Sequence, residues 1–82
     1  MTLNKEIEIT SFVFTNKQNF KSIPRTIEMD DQRYSFVDSG LRYLVKQGQD
    51  LIRLFDMSDG HNTYRIKNEH NQWTLVNIKP LV

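Results

Sequence analysis

Cysteine is absent from the 82-residue chain, and glycine and proline occur only three times and twice. The first absence excludes disulfides, zinc–thiolate sites, thiol catalysis and iron–sulfur ligation together. No apolar run approaches the roughly 20 residues that a membrane-spanning helix needs. The opening residues, Met1 to Glu6, lack the apolar stretch of a signal peptide. Neither sign of charge dominates: eleven basic and ten acidic residues leave a formal net charge of +1. That balance argues against a polybasic nucleic-acid arm and against an acidic tail. The expectation is a cytoplasmic protein with no membrane association.

Patterns that carry chemistry are equally sparse. The two histidines, His61 and His70, fall at predicted turns and lack the i, i+4 spacing of a helical metal pair. There is no Gly-x-Ser-x-Gly elbow and no glycine-rich phosphate loop. Asp56 and Asp59 beside Gly60 offer two carboxylates, where a calcium loop gathers about six oxygens. The chain is therefore expected to have no catalytic residue, no metal site and no cofactor. A binding or accessory protein is expected rather than an enzyme.

What the chain does have is aromatic residues, five Phe, three Tyr and one Trp, set in alternating patterns. At this length folding buries only about 60% of the unfolded surface, so large rings suit a single small core. One domain over residues 1–82 is expected, frayed at 1–4 and 80–82. Glu6, Ile7, Glu8, Ile9 and Thr10 alternate strictly, which reads as a half-buried strand spanning Lys5 to Phe14. Ile7, Ile9 and Val13 share one face of it, Phe12 and Phe14 the other. Thr15 to Pro24 is polar apart from Phe20 and Ile23 and reads as a long loop. Arg25 to Phe36 reads as a hairpin turning at Asp30-Asp31. An even-numbered loop there keeps Ile27, Met29, Tyr34 and Phe36 on one face. Asp38 or Ser39 could cap a two-turn helix, but Leu41, Tyr43 and Val45 alternate and favour a strand over residues 38–46.

The second half of the chain suggests registers. Gly48 stands first of two central turn residues in Gln47-Gly48-Gln49-Asp50, as a type II′ hairpin requires. That turn pairs Tyr43 with Leu54 and Val45 with Ile52. Ser58-Asp59-Gly60 fits a three-residue loop with glycine in the left-handed position, which would pair Leu54 with Tyr64 and Ile52 with Ile66. A last turn near Glu69-His70-Asn71 leads into Trp73 to Ile78, apolar on both faces, with Pro80 as the stop. Trp73 has two readings, as a core anchor or as an outward ring near Arg65 and Lys67.

The expected fold is all-β: an antiparallel meander of six to seven short strands, curled into a partly closed barrel or a strongly twisted sheet. Its expected core is Ile7, Ile9, Val13, Ile27, Met29, Tyr34, Phe36, Tyr43, Val45, Ile52, Leu54, Tyr64 and Ile66, with Trp73. The same registers put Arg42, Lys46, Arg53, Arg65 and Lys67 on the outer face with Phe55, and set Arg53 directly opposite Arg65. Like charges there are mildly unfavourable and need an offset, from Asp56, Asp50 or a bound anion. Cations interleaved with an aromatic ring on an open sheet suit single-stranded nucleic acid. The alternative is a protein partner or a second copy docked on this surface or on the last strand.

Overall fold

In a computed structural model, described over residues 2–16, 20–37 and 40–81, the chain forms eight antiparallel strands and no helix. Among the described residues no helix is long and apolar enough to cross a membrane. The strands are β1 (Thr2–Glu6), β2 (Glu8–Phe14), β3 (Ser22–Met29), β4 (Gln32–Ser35), β5 (Leu41–Gln47), β6 (Asp50–Ser58), β7 (Asn62–Glu69) and β8 (Gln72–Pro80). They make a five-stranded sheet ordered β1-β8-β7-β6-β5 and a three-stranded sheet ordered β2-β3-β4. The all-β antiparallel expectation holds. The curl is two sheets packed face to face, not a barrel.

The single strand expected over Lys5 to Phe14 divides at buried Ile7, where the chain passes from one sheet into the other. Thr2 to Asn4, expected as a frayed end, belong to β1 and pair with β8. Lys5 pairs with Asp30, tying β1 to the β3–β4 turn. The loop expected to reach Pro24 ends sooner, because β3 begins at Ser22. Proline has no N–H for the ladder, and the β2–β3 register slips beside Pro24, between Ser11 and Phe12. An earlier slip, at Thr10, reverses the alternation of β2. Phe12 therefore turns inward against Trp73, while Val13, expected in the core, is exposed.

The first two hairpins are as expected. Asp30 and Asp31 both have positive φ, as a type I′ turn demands, and Ile27 pairs with Tyr34. Gly48 alone has positive φ in its turn, and Tyr43 faces Leu54 while Val45 faces Ile52. Residues 38–39 lie outside the described residues, so the helix cap falls there too. Leu41–Gln47 is strand.

The third hairpin departs from expectation. Ser58 pairs with Thr63 and Met57 with Tyr64, so four residues, Asp59 to Asn62, close the β6–β7 pairing, the last of them already paired with β8. The Asp59 carboxylate explains the extra length. It accepts from the backbone N–H groups of His61 and Asn62, at 2.9 and 2.8 Å, and from the Tyr64 hydroxyl at 2.6 Å. Relative to the expected register, β7 slides by three residues along β6. An odd shift turns every side chain to the opposite face.

The core follows from that shift. Phe55 and Met57 of β6, Tyr64 and Ile66 of β7 and Leu75 of β8 point inward onto Ile23 and Ile27 of the smaller sheet and Phe36 just after it. Ile9, Met29, Tyr34 and Trp73 pack against this cluster. Tyr43, Val45, Ile52 and Leu54, expected inside, lie on the outer face instead. The two apolar faces of the last strand have a simple cause. Leu75 and Val76 together oppose Ile66, and this bulge flips the alternation, so that Trp73, Leu75 and then Ile78 all face the core.

Candidate functional site

The smaller sheet has three strands and cannot cover all five of the larger one. At the end of the sandwich nearest the β2–β3 loop, the inner face of the larger sheet remains open. A row of directly opposed residues crosses it there: Leu44 on β5, Arg53 on β6, Asn68 on β7 and Trp73 on β8. Phe12 of β2 and Phe20 and Lys21 of the β2–β3 loop overhang this row, and with Arg53, Asn68 and Trp73 they line an open cleft of about 520 Å³.

The floor of the cleft is aromatic. Phe55 is fully buried, with Phe20 edge-on to it at 5.6 Å between ring centres, and Trp73 lies against it at 5.6 Å. Phe12 closes on Trp73 at 5.8 Å. Such tilted and edge-to-face contacts hold the rings in fixed orientations. The polar side of the cleft consists of the cations Lys21 and Arg53, the amides Asn68 and Asn71, and Ser22; no carboxylate is among the described residues that line it. Arg53 is directed to the inner face of the sandwich, and at this open end the residue is half-buried.

The six residues singled out from sequence separate onto two faces. Arg42, Lys46, Arg53 and Phe55 remain together, because the β5–β6 register is as expected, but their face is the inner one. Arg65 and Lys67 lie outside. The Arg53–Arg65 opposition does not exist: Arg53 faces Asn68, and Arg65 faces Asp56. Arg65 donates from Nε and Nη2 to the two Asp56 oxygens, at 2.7 and 2.8 Å, and stands 5.7 Å from the Tyr43 ring centre. Hydrogen bonding to Asp56 raises the guanidinium's proton affinity above its ordinary value. Lys67 pairs with Glu69 at 3.5 Å. Arg65 and Lys67 thus have carboxylate partners.

Lys21, Phe12, Phe20, Asn68 and Trp73 were missed as site residues or left open. Trp73 turns inward, which resolves its two readings, and it still reaches the cleft. A signal for the true register was present: a four-residue loop replaces the Arg53–Arg65 repulsion with an Asp56–Arg65 attraction.

Charge is gathered locally. A second depression is lined by Glu6, Glu8, Glu28, Asp30 and Asp31, with Lys5 among them, and its Ile7 N–H donates to the Trp73 carbonyl at 3.1 Å. At the hairpin tips, Asp50, Glu69 and His70 have ligand atoms within 4.8 Å of one another. They could offer three donors to a cation. His70 is 3.7 Å from Asp50 and 3.9 Å from Glu69, and ion pairing when the imidazole is protonated already accounts for the grouping. No family model, no curated protein and no solved structure matches the chain.

Proposed function

We propose that the protein is a small non-catalytic binding module that takes short single-stranded nucleic acid into the cleft between its sheets. One observation carries this reading: Lys21 and Arg53 stand beside the half-buried rings of Phe12, Phe20 and Trp73, with no carboxylate among the described lining residues. Bases stack on aromatic side chains without regard to sequence, and cations beside them meet the phosphates. Asn68 and Asn71 supply amide donors and acceptors for base edges or ribose hydroxyls. Arg42 and Lys46 continue the positive charge along the inner face of β5. Unpaired bases are available in the cytoplasm, the compartment assigned by this reading.

Anisotropy of a labelled single-stranded oligonucleotide, titrated at low and moderate salt, tests the proposal. With Lys21 and Arg53 each neutralising one phosphate, the logarithm of the affinity should fall with the logarithm of salt with a slope of about −1.4. Arg53→Glu combined with Lys21→Glu should abolish binding, while Arg65→Glu on the outer face should leave it nearly unchanged. Absence of binding at low salt, or equal losses from the cleft and outer-face variants, would overturn the reading.

A further inference from the structure

β5 is an edge of the five-stranded sheet, and among the described residues no strand lies beyond it. Its apolar side chains are unusually open on both faces. Leu41, Tyr43 and Val45 on the outer face are 62%, 40% and 41% exposed, and Leu44 on the inner face is 39% exposed. Long apolar edges are ordinarily short, charged, bulged or covered, because they template pairing with another chain. We infer that β5 pairs antiparallel with β5 of a second copy, about a two-fold axis passing between the two Tyr43 residues.

The sequence of β5 selects this occupant and this register. The two-residue loop closes with Gln47 opposite Asp50, so odd-numbered residues of β5 bond to β6. The N–H and C=O groups of Arg42, Leu44 and Lys46 then point to the open edge. Centring the two-fold on Tyr43 lets Arg42 and the partner copy's Leu44 exchange both bonds, and places Tyr43 in a close, non-hydrogen-bonded pair with its own copy. On the outer face Leu41 meets Val45 and Tyr43 meets Tyr43, so that apolar residues face apolar residues throughout. On the inner face the arginine stem lies along Leu44. A register centred on Leu44 instead sets Arg42 against Lys46, a like-charge contact made twice. One centred on Val45 sets Tyr43 against Gln47 and forfeits the apolar match. Because such a two-fold is perpendicular to the sheet, the two clefts open on the same side. The inference does not depend on what the clefts bind.

The absence of cysteine makes the register directly testable. Light scattering of the full chain over a concentration series should show conversion to a dimer. Tyr43→Cys should then crosslink to itself under mild oxidation, because facing Cα atoms about 4.5 Å apart lie within disulfide reach. Leu44→Cys should not, since its copies are offset by two residues and roughly 8 Å apart. Val45→Lys, an exposed substitution whose folding is checked by circular dichroism, should weaken the dimer by about tenfold or more. A monomer at every concentration, preferential crosslinking through Leu44→Cys, or a dimer indifferent to Val45→Lys would overturn the inference.

Discussion

Two residues show how local chemistry sets the larger structure. Burial alone would raise the Asp59 carboxyl, but the Tyr64 hydroxyl and the N–H groups of Asn62 and His61 outweigh it and hold the group below its ordinary 3.8. Burial and the same contact push the Tyr64 hydroxyl from 10.0 up to about 12. The signs differ at the two ends of the pH scale. Asp59 binds its proton less tightly when folded, so its contribution is present above its unfolded value and lost as pH falls below it. Tyr64 binds its proton more tightly when folded, so its contribution is complete below pH 10 and is lost as pH rises toward 12. Urea melts across pH should show both limbs. Tyr64→Phe should cost about 1 kcal/mol at neutral pH and flatten the alkaline limb. Gly40 makes a stricter demand. It has φ of 62°, and a Cβ there would lie 2.1 Å from the Asp56 carbonyl oxygen. Gly40→Ala should cost about 2 kcal/mol or more, read as a lowered urea midpoint.

Between elements, the decisive quantity is the register of β7 on β6. Phe55→Ala should cost about 3–5 kcal/mol because the ring is wholly buried, whereas Leu54→Ala on the outer face should cost about 1 kcal/mol. Equal losses would mean that the face assignment is wrong. A double-mutant cycle on Asp56 and Arg65 should give a coupling of roughly 0.5–1 kcal/mol, modest because the guanidinium is partly exposed. The turns at Asp30-Asp31 and Gly48 were legible in sequence because their geometry depends on backbone preferences local to two residues. The Asp59 loop was not. Three- and four-residue loops both give Gly60 its positive φ, and only the carboxylate's contacts with residues further along choose between them. Nor were the slips at Thr10 and Val76 visible, since a bulge breaks the period-two pattern from which faces are read. Those errors propagated to the site. Arg53 and Phe55 were correctly grouped but assigned to the wrong side, and Lys21 was hidden in a segment read as loop.

At the scale of the whole molecule, a net charge of +1 conceals a division into two chemistries. One depression gathers carboxylates, and the cleft gathers Lys21 and Arg53 beside half-buried aromatic rings. Unequal sheet widths produce that cleft: five strands face three, which cannot cover the whole row from Leu44 to Trp73. Trp73 is the only tryptophan in the chain and lines the cleft itself, so its emission reports on the site without a label. The most direct test is to follow that emission while titrating a short single-stranded oligonucleotide at low salt. Binding in the cleft predicts saturable quenching, retained in Arg65→Glu and lost in the Arg53→Glu, Lys21→Glu double variant. Emission that never changes, or quenching that survives the double variant and disappears with Arg65→Glu, would contradict it.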